Sequence, residues 1–231
     1  MACCNHCRDA EGFFGARRAR LELRKYRKRG LSSSTARLLD ALREAGVQGA
    51  TLLDVGGGVG AIQHELFREG LARAIQVDAS RAYLEVAEKA AADEGNRTRS
   101  TFHFGDFVEL APGLPEADFV TLDRVLCCYP HMDRLLEAAM GRTRKVLGLV
   151  YPRERRGTRL AITLGNLWFR LRGSDFRIFL HPPAGAHKLL EAAGFRPIHD
   201  SRTFVWRVEV WERGADAGVG WNRRPSSPPE R

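Results

Sequence analysis

The chain of 231 residues contains no run of eighteen apolar residues, so no segment is expected to span a membrane as a helix. Its opening, Met-Ala-Cys-Cys-Asn-His-Cys-Arg-Asp, lacks the apolar stretch of a secretory leader. Cysteine is scarce: five residues in two clusters, Cys3, Cys4 and Cys7, then Cys127 and Cys128. Neither cluster suits a disulfide framework, and the cytoplasm is the expected compartment. Cys4-x-x-Cys7 is half of a zinc-site spacing, but no second C-x-x-C or H-x-x-x-H follows. Adjacent cysteines serve one tetrahedral ion badly, so no metal is expected. Internal repeats are absent too.

What is present suits one α/β domain with short tails, long enough to bury a full core. Hydrophobic residues make up 44% and charged residues 28%, the ordinary balance of a globular protein. The net charge of +9 comes from 37 Lys and Arg against 28 Asp and Glu. Such an excess suits nucleic acid, an anionic membrane or an acidic substrate, and it also occurs with no such partner.

The most informative stretch is Thr51 to Leu66. Thr51–Val55 is short and apolar, as a buried parallel strand should be. Gly56, Gly57, Gly58 and Gly60 follow, and from Ala61 the residues Ile62, Leu66 and Phe67 recur at helical spacing. Strand, glycine turn and helix together describe a nucleotide-cofactor loop: the glycine backbone can approach a ligand closely, and the helix points its unpaired N–H groups at it. Gly56, Gly58 and Ala61 also satisfy the dinucleotide fingerprint, which alone leaves a nicotinamide cofactor open. A second strand, 72–77, ends at Asp78, with Ala79 beside it. An acid about twenty positions beyond the glycines, at a strand's carboxyl end, can accept both ribose hydroxyls of an adenosine cofactor, cap the next helix, or both.

Asp54 two residues before the first glycine, together with the alternate glycines, resembles motif I of class I S-adenosylmethionine (SAM)-dependent methyltransferases. The resemblance implies a cofactor site of Asp54, Gly56, Gly57, Gly58, Gly60, Asp78 and Ala79, with Asp106 meeting the adenine amino group and Phe107 packing on the ring. It also implies that the segment after the fourth strand, Asp123 to Met132, lines the methionine side of the cofactor and one wall of the substrate pocket. The wording Val-Leu-x-x-Tyr-Pro there is similar to magnesium-protoporphyrin methyltransferases. Two positions depart from that pattern: Arg124 stands where an acid is usual, and Cys128 where a His is usual. Tyr129 and His131 are the strongest catalytic candidates, and Tyr151, Arg124, Trp168, Arg170 and His181 are further pocket candidates.

The implied fold is α/β, a Rossmann-like seven-stranded methyltransferase sheet with helices on both faces and a C-terminal antiparallel hairpin. Helices are expected at 11–30, 32–44, 61–68, 80–94 and 182–193. Strands are expected at 51–55, 72–77, 101–104, 117–122, 144–151, 195–201 and 203–211. Residues 1–10 read as a Cys-containing tail, 11–48 as N-terminal helices forming a lid or cap, 49–212 as the SAM-dependent domain, and 213–231 as a disordered tail. Within the domain, 153–181 reads as an Arg-flanked amphipathic insertion that either covers the substrate cleft or completes the core.

The expected activity is methyl transfer from SAM to a small-molecule acceptor, at oxygen. A nucleic-acid or protein methyltransferase is the first alternative; it is favoured by charge, but the Asn/Asp-Pro-Pro-Tyr motif is missing. An NAD-dependent oxidoreductase is the second, against which the hairpin and Asp106 argue. Basic and aromatic helices admit a peripheral membrane contact. A nucleic-acid partner is not expected.

Overall fold

A computed structural model describes residues 12–174 and 176–214. The Cys3–Cys7 cluster and the tail from 215 onward lie outside the described residues. Two helices, α1 (Ala16–Arg29) and α2 (Ser33–Glu44), precede β1 (Thr51–Val55). Then come α3 (Ala61–Arg68), β2 (Arg73–Asp78), α4 (Arg81–Asp93), β3 (Ser100–Phe104), the short α5 (Phe107–Leu110) and β4 (Ala117–Asp123). The rest of the chain forms α6 (Met132–Arg142), β5 (Thr143–Pro152), α7 (Arg156–Leu171), α8 (Pro183–Ala192), β6 (Phe195–Arg202) and β7 (Trp206–Arg213).

The seven strands form one sheet in the order β3-β2-β1-β4-β5-β7-β6. The first five are parallel, and β7 enters antiparallel between β5 and β6. Parallel neighbours require covered faces, and here helices cover both. Alternation along each strand divides the core in two. Leu52, Phe119, Val146 and Val150 face α2 and α3, meeting Leu38, Leu39, Leu42, Leu66 and Phe67. Leu53, Val120, Leu122 and Leu147 face α6 and α8, meeting Leu135, Leu136, Met140 and Leu190.

Three features depart from the expected arrangement. First, α6 was not anticipated, although Leu135, Leu136, Ala139 and Met140 lie on one helical face and are buried. Second, α2 is a layer of the sheet domain rather than part of a cap, since Leu38, Leu39 and Leu42 are completely buried in the core. Third, β7 begins at Trp206, and Phe204 sits in the preceding turn, 84% exposed. The hairpin itself is present and β7 extends through Arg213.

Candidate active site

At the carboxyl ends of β1, β2 and β4, below α1 and α7, lies a cavity of about 980 Å³. That is at the upper end of the roughly 300–1,000 Å³ usual for small-molecule clefts. Gly56, Gly57 and Gly58 form part of its wall. Gly56 and Gly58 adopt left-handed φ values of 62° and 58°, which side chains resist. A Cβ on Gly57 would lie 2.6 Å from Asp54 Oδ2, so that position admits hydrogen alone. Gly60, also left-handed, is the N-cap of α3 and is not part of the cavity wall.

Behind the loop is a buried polar layer. Thr121 Oγ1 donates to Asp54 Oδ1 (2.7 Å), while Asp54 Oδ2 has no partner among the described residues. Gln76 Nε2 donates to the Gly58 carbonyl (2.8 Å) and Gln63 Nε2 donates to Gln76 Oε1 (3.1 Å). Burial pushes the Asp54 carboxyl up to about 7, because the charged form loses its water. Asp54 therefore supports the loop from beneath and does not line the cavity, which corrects its expected place among the direct contacts.

Asp78 does line it. Its Oδ2 accepts the Gly58 N–H (3.1 Å) and its Oδ1 the Ser80 N–H (2.8 Å). Capping of α4 falls to Ser80, whose hydroxyl accepts the Tyr83 N–H, so the cap does not occupy Asp78. Burial raises the Asp78 carboxyl to about 6, against the opposing pull of those backbone N–H groups. Ala79, Asp106, Phe107 and Asp123 complete this side of the wall.

Asp106 caps α5 through the Val108 N–H (2.9 Å), and the Tyr129 hydroxyl donates to both its oxygens (3.1 and 3.0 Å). Tyr129 thus lies in the wall with its proton held by a carboxylate. His131 does not join it: it is exposed at the N-cap of α6 and lies outside the cavity wall. Its place beside Tyr129 in sequence misled, because the turn into α6 carries it outward. His181 Nε2 donates to the Tyr129 carbonyl (2.9 Å) and Tyr151 is buried beneath, both around a smaller crevice. Trp168 is half exposed and Arg170 is exposed; neither lines the cavity.

Arg124 has a left-handed φ of 65°, the only such value outside glycine among the described residues. Tertiary bonds hold it there: its Nε donates to Asp123 Oδ1 (3.0 Å) and its Nη2 to Thr35 Oγ1 (2.9 Å) and Ser32 Oγ (3.2 Å). Thr35 Oγ1 in turn donates to Asp123 Oδ2 (2.6 Å). This knot ties α2 to the end of β4. Cys127 and Cys128 follow, with sulfurs 3.8 Å apart. The neighbouring thiol is the main cause that raises Cys127 and lowers Cys128, and Cys128 faces the cavity.

The sequence reads the N-terminal helices as a lid or cap but does not single out Glu22 as a wall residue. Tyr83 donates its hydroxyl to Glu22 Oε2 (2.8 Å), setting a carboxylate near Gly58. Glu22 is the one acid in α1, a signal that could have singled it out. Phe13 stacks on Phe176 with centroids 4.6 Å apart, and Phe14 meets Tyr83 edge-on, so aromatic rings roof the cavity. Among the described residues no group of three His, Cys, Asp or Glu side chains is placed to hold a metal ion.

A nucleoside cofactor fits these residues on two counts. The glycine backbone leaves a cradle that any larger side chain would fill, and a carboxylate waits at the end of β2. Comparison with known proteins agrees. Residues 52–148 match the family model described as "Methyltransferase domain". No curated protein sequence matches the chain. The magnesium protoporphyrin IX methyltransferase of Synechocystis PCC 6803 with bound SAM superposes with a TM-score of 0.66 at 17% identity, over 93% of this chain and 100% of that one. The same enzyme with SAH gives 0.64 at 20% identity, over 79% and 82%. An O-methyltransferase family 2 protein from Planctomyces limnophilus DSM 3776, in complex with apigenin, gives 0.63 at 20% identity, over 86% of this chain and 62% of that chain.

Proposed function

We propose that this chain, whose fold and cofactor loop are those of a class I SAM-dependent methyltransferase, methylates a small, largely apolar organic molecule at oxygen. The observation that carries the reading is the size and lining of the cavity. Beyond the glycine loop and Asp78 it extends between Ile162, Ile178, Phe176 and Trp206, a partly open but mostly apolar space. The similar structures point the same way, one being named a magnesium protoporphyrin IX methyltransferase and another an O-methyltransferase family protein in complex with apigenin, both small molecules.

When bound, SAM supplies an electrophilic methyl group on a sulfonium. Asp78 would hold the ribose hydroxyls, and Asp106 and Phe107 the adenine end. Phe13, Phe14 and Phe176 exclude water from the reacting centre, and positioning with desolvation is the main protein contribution to such a displacement. Arg124, fixed by Asp123 and Thr35, presents a guanidinium that can orient an anionic oxygen. A carboxylate acceptor would need no base; a phenol would have to lose its proton, and Glu22 is a carboxylate on the cavity wall that can take one.

The deciding experiment supplies methyl-labelled SAM with phenols, organic carboxylic acids, RNA and a peptide mixture, with Asp78→Ala as control. Label is expected in an extractable small molecule, with the control inactive. Label appearing in RNA or peptide alone would overturn the reading.

A further inference from the structure

Helix α7 carries apolar residues on two sides, and protein covers one of them. At 3.6 residues per turn, Leu160, Leu164, Leu167 and Leu171 fall in a single row, with Trp168 at its border. All five are more than half exposed, from 51% for Trp168 to 78% for Leu171. On the other side Thr158, Ala161 and Ile162 face the cavity, and Phe169 packs on Phe13 and Phe176. Single exposed leucines need no explanation; a contiguous row on one helix does.

The surroundings of the row are cationic. Arg156, Arg159 and Arg170 flank one edge by helical position, and Arg172 lies over the Trp168 ring at 4.7 Å on the other. Within α7 there is no acid, and Glu154 just before it is paired with Arg159. The helix that carries the row also lines the cavity, through Gly157, Thr158, Ala161 and Ile162. Leu21 and Phe204 are 54% and 84% exposed yet line the cavity, so they form its rim, with Arg155 over the Phe204 ring at 5.7 Å.

We propose that this arginine-edged row docks on an anionic lipid surface, and that the acceptor is a lipophilic molecule taken from it. The second half rests on the methyltransferase reading above; the first does not. No described helix is long and apolar enough to cross a membrane, so the contact is that of a helix lying at the headgroup level, leucines down and arginines at the phosphates. A second copy of the chain is a poorer occupant: two identical faces would bring their arginines together with no acid on α7 to offset them.

The test is sedimentation of the full chain with phosphatidylcholine vesicles and with phosphatidylcholine–phosphatidylglycerol vesicles, at low and high salt, alongside tryptophan emission. Anionic vesicles should bind at least about tenfold better than neutral ones, with added salt weakening the binding. Emission should shift to the blue, and this shift should vanish in Trp168→Phe. The double variant Leu164→Glu/Leu167→Glu alters exposed positions; it should lose at least about tenfold in vesicle affinity while keeping its melting temperature and its affinity for SAH. Equal binding by the variant, no binding to anionic vesicles, or a dimer in solution that this variant dissociates would overturn the docking surface. Vesicle binding without SAM binding would keep the surface and remove methyl transfer. Turnover of a water-soluble acceptor that vesicles leave unchanged would remove the lipophilic acceptor alone.

Discussion

Asp54 and Asp78 are two acids raised by the same cause and put to different uses. Asp78 faces the cavity with both oxygens already receiving backbone N–H groups, so its ionised form is the one prepared to accept further donors. Because its carboxyl titrates near 6, donor affinity measured by calorimetry should hold from pH 8 to about 7 and fall as pH drops through 6. Asp78→Ala should weaken SAM binding by about 10- to 100-fold, the value of hydrogen bonds to a charged group. Asp54, fully buried under Gly57, acts on stability instead. Its folded-state value of about 7 exceeds the ordinary carboxylate value. Between these two values the unfolded chain has lost the proton while the folded chain keeps it, so this group lowers stability as pH rises from about 4 to 7, by up to about 1.4 kcal/mol per pH unit. Denaturant titrations of Asp54→Asn should show a flatter pH profile across that window than the wild type.

At the scale of elements, Arg124 offers a clean separation of backbone from side chain. Both Arg124→Ala and Arg124→Gly remove the bonds to Asp123, Thr35 and Ser32, but only glycine is at ease at a φ of 65°. Arg124→Gly should therefore melt later than Arg124→Ala, by the equivalent of about 1 kcal/mol. The elements also show what a sequence reveals and what it hides. β1, the glycine turn and α3 were legible because their signals are local: a short apolar run, closely spaced glycines and a helical repeat lie within sixteen consecutive residues, 51–66. Asp78 was legible because β2 must end beside that turn. Glu22, Phe13 and Phe14 were not, because their place on the wall depends on where α1 lands, a contact with Tyr83 and Phe176 far along the chain. His131 failed for the opposite reason: nearness in sequence suggested nearness in space, and one turn of backbone undid it. For α7, periodicity showed an amphipathic helix, but both outer and inner sides are apolar, so pattern alone could not say which one protein would cover.

At the scale of the whole molecule, cofactor binding should be felt throughout, since the cavity is walled by residues from α1, β1, β2, β4 and α7 at once. A ligand bound only by the folded chain, at about 100 times its dissociation constant, adds about 2.7 kcal/mol of stability. For a protein of this size that is a rise of roughly 5–10 °C in melting temperature. SAH should produce such a rise and NAD should not; the reverse result would favour an oxidoreductase.

The position of β7 has a further consequence. Leu38 of α2 packs over Gly148 of β5, within a core that also holds Val208 and Val210 of β7. Arg213 Nε, at the end of β7, donates to the Thr143 carbonyl (2.8 Å). Early and late segments thus share one core. During synthesis, a nascent chain that has not yet delivered β7 from the ribosome leaves that side of β5 unpaired and α2 only partly seated. Since α2 also anchors Arg124 and Asp123, the ligand-binding wall should mature after translation of β7, making this domain a late folder despite its early glycine loop.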